Sequence, residues 1–474
     1  MSDNSKRSKD FAKNTAILTF GKICTQSISF LLLPLYTAIL EPVDYGAVDL
    51  IVTYNTLLLT LVALQFDQGL FRFMLDDRYN KKRNIELFSS ILSISVVQVT
   101  VFGLLYYILQ PFVTLQYKHY MAVDVILSVF LQLFMQFVRG LGKSADYAIA
   151  SFISAAGTVI FNVFFLVVLH LDGLGLIYSI ILSKTLAICY LFCKNQLWHY
   201  YSIKCVNRDV FTAVAKYSIP LVPNNLAWWI INASDRTIIV AFLGTALNGI
   251  YTVANKFSNV FINFYNILNL SWTENVSLHF NDDDRDEYLA AMVTTLFNLF
   301  AAACIGIIAC LPLVFNSFIN EKYAEAYPHI PILMIAMLFR VVVGLYSVVY
   351  VAQKKTVSIM LTTIGAALIN VVVHLILINK IGLFAASFST LISFAIVAIY
   401  RYIDVNRTLR MHIEKRSLVL TIIACCIILP LYYHNEFAWN VVSLLVAICY
   451  AFIINKDILH DVSGTLKKLK REGR

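Results

Sequence analysis

The chain has 474 residues, of which 59% are hydrophobic and 14% charged, against about 25% charged in an average soluble domain. A mean hydropathy of +0.74 and recurring apolar runs of about twenty residues exclude an ordinary soluble enzyme and point to a polytopic helical membrane protein. The net charge of +9 comes from 37 Lys and Arg against 28 Asp and Glu, but the bases lie in short gaps between apolar runs rather than in one patch, which argues against a nucleic-acid partner.

The polar segment 1–13 carries Lys6, Arg7, Lys9 and Lys13. The apolar run that follows, 14–40, is too long for a signal-peptide core and reads as the first membrane helix. Further spans are predicted at 45–74, 86–110, 121–141, 146–169, 174–193, 217–243, 248–273, 289–316, 329–352, 356–378, 382–403, 417–433 and 438–455. Fourteen spans place both chain ends on one side of the membrane. With that side taken as the cytoplasm, 28 Lys and Arg lie in or beside inner segments and only Lys118, Lys322 and Lys380 lie outside, which is the positive-inside pattern. The loops leave no room for a soluble catalytic domain. No Walker A pattern and no metal-ligand spacing of Cys or His occurs, so no cofactor is expected.

An internal repeat emerges when the two halves are superposed. Gly157-x4-Asn162 followed by Gly173-Leu174 matches Gly365-x4-Asn370 followed by Gly382-Leu383, and Leu40-x5-Gly46 matches Leu243-x5-Gly249. Both halves start from the cytoplasmic side, so the repeats are parallel. The expected fold is all-α: two parallel six-helix bundles, 14–200 and 217–405, joined by a cytoplasmic linker at 201–216, then an accessory helix pair at 406–455 and a basic tail at 456–474.

Charges within a span cost about 2.5 to 3.5 kcal/mol each on insertion scales and persist mainly where they face protein or water. At about 1.5 Å per residue, Lys22, Lys184 and Arg340 fall near mid-depth and Lys256 somewhat nearer the outside, with no acid expected at their level. Asp49, Asp235 and Arg236 fall in the outer third, and Asp67 and Arg72 toward the inner end of the second span, a placement that permits a gate or an ion-coupling role. Four cations without an evident protein anion point to an anionic substrate such as phosphate, which Lys and Arg both bind; pairing with Asp49, Asp67 or Asp235 as structural glue is the alternative.

Polar residues also recur at helical spacing: Thr15, Thr19, Lys22, Gln26 and Ser29; Asp49, Thr53, Thr56, Thr60 and Asp67; Asn225, Trp228, Asn232 and Asp235; Lys256, Asn259, Asn263 and Asn266. Any one stripe has helix-to-helix bonding as its ordinary reading. Four stripes in the first two helices of each half point to a wetted lumen. Trp228 and Trp229 offer faces on which a sugar can stack, against ordinary aromatic packing. Pro34, Pro220 and Pro223 mark bends.

The stretch Tyr217-Ser-Ile-Pro-Leu-Val-Pro-Asn-Asn225, then Asn232-Ala-Ser-Asp-Arg236 and Gly249-Ile-Tyr-Thr-Val-Ala-Asn-Lys256, resembles the seventh and eighth helices of Wzx-type polysaccharide flippases. Asn14-Thr-Ala-Ile-Leu, Pro34-Leu-Tyr, Tyr45-Gly46 and Gly69-Leu-Phe-Arg72 are similar to their first two helices. The superfamily also holds the lipid II flippase MurJ and the MATE drug exporters. The resemblance implies alternating access and a basic cavity for the pyrophosphate and sugars of an undecaprenyl-linked oligosaccharide. Lys22 and Lys256 match basic cavity positions of such flippases, while Lys184 and Arg340 rest on depth alone. It further implies an inner-membrane location, a role in capsule or O-antigen assembly beside a polymerase and a chain-length regulator, and H+ or Na+ as coupling ion. A cation-coupled MATE-like exporter is the competing reading, disfavoured by four buried bases. A membrane polymerase is disfavoured by the short loops.

Overall fold

The computed structural model describes residues 30–76, 78–280, 282–353 and 355–456. Among them are sixteen α-helices and no β-strand: α1 Leu33–Ile39, α2 Pro42–Ala63, α3 Phe66–Asp76, α4 Lys81–Leu109, α5 Lys118–Gly140, α6 Ser144–Val163, α7 Asp172–Lys194, α8 Arg208–Ser218, α9 Leu221–Leu243, α10 Thr245–His279, α11 Arg285–Phe318, α12 Ile330–Ala352, α13 Thr356–Ile381, α14 Phe384–Asn406, α15 Lys415–His434 and α16 Phe437–Ile454. Eleven of these (α2, α4–α7 and α11–α16, some extended by a 3-10 or π turn) are long and apolar enough to cross a membrane. They correspond to predicted spans two to six and nine to fourteen, while α9 and α10 occupy the seventh and eighth. Most of the first span lies outside the described residues.

Two compact units divide the chain, Met1–Gly249 and Ile250–Arg474. In the first, α6 packs along α7, and α5 packs on α3 and α7. Its apolar centre gathers Phe66, Leu70 and Met74 of α3, Phe88 of α4, Phe134 and Phe137 of α5, and Val210 and Val214 of α8. The amphipathic helix α8 arises from the linker sequence. Val210, Val214, Ala215 and Ser218 fall on one buried face, and the Asn207 side chain caps its start by accepting from the Asp209 amide at 2.8 Å.

The second predicted span, 45–74, is not one helix. It breaks after Ala63, where Leu64 and Gln65 both adopt left-handed backbone at φ 48° and 58°. The chain turns instead, and α3 lies against α5 and α8. Left-handed backbone costs about 1 kcal/mol or more at each such residue, offset by burial of Phe66 and Leu70 immediately beyond. The predicted span at 217–243 likewise starts later than expected, because α8 ends at Ser218 and Pro220 sits at the cap of α9.

In the second unit, α14 packs on α12 and α13, and α15 and α16 pack on each other and on α11. Tyr327 and Tyr432 stack at 4.3 Å and each hydroxyl donates to the other's backbone carbonyl, at 3.0 and 2.8 Å. The two asparagines of the sequence repeat bond to helices that the repeat does not pair, α1 in the first unit and α14 in the second. Asn162 of α6 and Asn370 of α13 are both buried, Asn162 donating to Tyr36 Oη at 2.5 Å and Asn370 to Thr390 Oγ1 at 3.2 Å.

Candidate functional site

In the first unit, α2 packs on α9 along the predicted polar stripe. Arg236 Nε donates to Asp49 Oδ2 at 2.5 Å, and both side chains are largely buried. One turn further along α2, Trp229 Nε1 donates to the Thr53 carbonyl at 2.9 Å and Tyr54 Oη meets Thr237 Oγ1 at 3.1 Å. Two of the predicted gate or coupling residues, Asp49 and Arg236, therefore form one partly desolvated ion pair, while Asp235 beside them is buried. Two threonines of the α2 stripe are satisfied locally: Thr56 Oγ1 donates to the Thr53 carbonyl at 2.7 Å and Thr60 Oγ1 to the Thr56 carbonyl at 3.0 Å.

At the start of α2 the contact is backbone on backbone. A Cβ added to Gly46 would lie 2.1 Å from the Thr245 carbonyl oxygen, and one added to Gly249 would lie 2.1 Å from the Pro42 carbonyl oxygen. Only glycine permits so close an approach, and the Asn248 side chain seals it by donating to the Gly46 carbonyl at 2.8 Å. The two glycines that matched as repeat equivalents in sequence thus pack against each other.

Lys184 requires a correction. No acid was expected at its depth, yet its ammonium contacts Asp124 Oδ1 of α5 and donates to Ser128 Oγ at 2.8 Å. Asp124 lies about 9 Å along α5 from its start and Lys184 about 18 Å along α7, at about 1.5 Å per residue; the lysine side chain spans much of the difference. The Asn55 amide of α2 donates to Asp124 Oδ2. Asp124, Ser128 and Asn55 were not among the predicted site residues. The available signal was the i, i+4 spacing of Asp124 and Ser128 inside an apolar run, which sets both on one helix face.

The inner-end candidates are not brought together. Arg72 is exposed and pairs with Asp76 at 2.6 Å, whereas Asp67 is buried and its Oδ2 accepts from Gln68 Nε2 at 2.9 Å. In the second unit Lys256 and Asn263 of α10 are half-buried, Asn259 is exposed, and the Arg340 guanidinium of α12 lies over the Phe394 ring at 5.6 Å. Lys22 and Gln26 lie outside the described residues, and the side chains of Trp228 and Asn232 on α9 do as well.

A further buried cation, missed because it sits at the inner end of its predicted span, is Arg401 of α14. Its fork donates to Ser347 Oγ, to the Val343 carbonyl at 3.2 Å, and to Thr362 Oγ1 at 2.6 Å. It thereby ties α12, α13 and α14 together through neutral acceptors.

A family model described as polysaccharide biosynthesis protein matches residues 11–272, just over half of the chain. No curated protein matches it in sequence. Among solved structures, the lipid II flippase MurJ in an inward closed conformation superposes with a TM-score of 0.72 at 14% identity, over 95% of this chain and 99% of that one. A multidrug resistance MATE family transporter of the MOP superfamily, in an inward-facing conformation, gives a TM-score of 0.66 at 14% identity, covering 80% and 93%. A MOP superfamily transporter from Pyrococcus furiosus, described as having a binding pocket of reverse polarity, gives 0.56 at 13% identity, covering 82% and 94%. At such identities the likeness establishes the fold.

Proposed function

We propose, from the premise that the chain belongs to the polysaccharide biosynthesis protein family, that it is a flippase carrying undecaprenyl-pyrophosphate-linked oligosaccharide repeat units across the bacterial inner membrane. The observation that carries this reading is the family match itself, which spans Lys22, Lys184 and Lys256 in a multi-pass helical protein. The unit delivered outside feeds assembly of capsule or O-antigen beside a polymerase and a chain-length regulator. The protein is a transporter rather than an enzyme, and alternates access through two lobes, 14–200 and 217–405, with both termini cytoplasmic and H+ or Na+ as coupling ion.

Lys22, Lys256 and Arg340 are the cations assigned to the pyrophosphate, since a diphosphate carries charge that Lys meets as a point cation and Arg as a fork. Asn259, Asn263, Gln26, Asn232 and Trp228 supply hydrogen bonds and an aromatic face for sugars. Lys184 is left out of that set because its ammonium is engaged by Asp124. The test is replacement of Lys22 and Lys256 together by Ala in a host that depends on this protein for its surface polymer. The variant should insert at the normal level and yield no polymer. Normal polymer at normal expression would refute the assignment, and resistance to cationic drugs on overexpression would favour an exporter.

A further inference from the structure

The cluster around Lys184 has the composition of a monovalent-cation site with its cation supplied by the chain. Asn55, Asp124 and Ser128 come from three places on two helices, α2 and α5, and are 5%, 4% and 5% exposed. Two oxygens meet the ammonium, Asp124 Oδ1 and Ser128 Oγ, while Asn55 stands behind them, its amide donating to Asp124 Oδ2 and its Oδ1 lying 3.4 Å from Ser128 Oγ. The Ser128 hydroxyl donates to the Asp124 carbonyl at 2.7 Å, which leaves its lone pairs facing the cation. The set carries one carboxylate and otherwise neutral oxygens, so it balances a single positive charge. Hard oxygen donors of this type hold alkali and alkaline-earth cations.

A buried carboxylate without a cation is strongly disfavoured in a low-dielectric interior. Lys184 meets that need through a covalent tether, so its occupancy of the site is set by the chain rather than by the ion content of the medium. We infer that Lys184 is a built-in cation occupying an alkali-cation site whose oxygens come from Asp124 and Ser128, with Asn55 holding the carboxylate from behind, so that the wild-type first unit takes no Na+ there and removal of the ammonium opens the site to a free ion. This inference stands on the geometry of the cluster and does not depend on the flippase reading.

The test uses the full-length protein in detergent, with unfolding midpoints measured in NaCl and in N-methylglucamine chloride at matched ionic strength. Lys184→Met should show a saturable Na+-dependent rise of a few degrees, as ligand binding to the folded state requires. Wild type and the Lys184→Met/Asp124→Asn double variant should lack this increment, so that any response to a coupling Na+ bound elsewhere, common to all three proteins, cancels in the comparison. The inference is overturned by a Lys184→Met variant indifferent to Na+, by an equal response in wild type, or by an increment that survives in the double variant. Should Lys184→Met be unrecoverable in Na+-free buffer, recovery in NaCl supports the inference and failure in both salts overturns it.

Discussion

Gly46→Ala tests the close crossing of α2 and the first turn of α10. The added methyl would stand 2.1 Å from the Thr245 carbonyl oxygen and 2.6 Å from the Gly249 amide nitrogen. Both atoms are backbone and cannot rotate aside, so the two segments must separate by roughly 1 Å to reach ordinary contact. Overpacking of this kind costs about 1 to 3 kcal/mol. Separation also stretches the 2.8 Å bond from Asn248 to the Gly46 carbonyl, with a net worth of about 1 kcal/mol. The sum, about 2 to 4 kcal/mol, corresponds to a fall of roughly 5 °C in the midpoint, using about 2 °C per kcal/mol for a unit of this size. Gly103→Ala on α4 is the matched control, since nothing lies within 4 Å of its added methyl; there the same change should be neutral or slightly stabilising, by up to about 1 kcal/mol, because alanine is the better helix former. Thermal unfolding of the detergent-purified protein followed by size-exclusion chromatography reads both. Equal midpoints for the two variants would refute the crossing.

Other substitutions probe the buried charges separately. Asp49→Asn should lower stability by about 2 to 3 kcal/mol by stranding the largely buried Arg236 guanidinium, and a double-mutant cycle with Arg236→Met should return a coupling of about 1 to 3 kcal/mol; additive effects would dissolve the pair. Asp124→Asn should cost about 3 kcal/mol by leaving the Lys184 ammonium without its carboxylate, with most of the loss recovered in the neutral Lys184→Met/Asp124→Asn variant. An Asp124→Asn protein as stable as wild type would contradict the pairing. Arg401→Lys should not replace Arg401, because one ammonium cannot span the acceptors on α12, α13 and α14 that the planar fork reaches. Its unfolding midpoint should fall nearly as far as that of Arg401→Met, and full retention by the lysine variant would show the fork to be unnecessary.

Much of the architecture was legible in the sequence because lipid imposes a strong pattern: apolar length gave the spans, and mid-run charges such as Lys184 and Arg340 stood out against them. Partners were harder to read than charges. Asp124 lies near the start of its run, where an acid at the membrane interface is unexceptional, so its engagement with a lysine on another helix left no mark in one chain read alone. Asp49 and Arg236 were placed at similar depth on different helices, and the structure adds that they touch. The break after Ala63 was invisible for a different reason. Neither Leu64 nor Gln65 is a turn residue, and left-handed backbone at both positions is set by tertiary packing of Phe66 and Leu70 rather than by local preference. Gly46 and Gly249 were visible as a repeat match, but the match gave no sign that the equivalent positions meet.

Reconstitution in liposomes tests the central claim most directly: a fluorescent undecaprenyl-pyrophosphate oligosaccharide is placed on one leaflet and its arrival on the other is followed with and without an imposed H+ or Na+ gradient. The account predicts protein-dependent transfer that is lost when Lys22 and Lys256 are neutralised. Transfer that persists in the neutralised variant, or no transfer by the wild-type protein under any gradient, would contradict it.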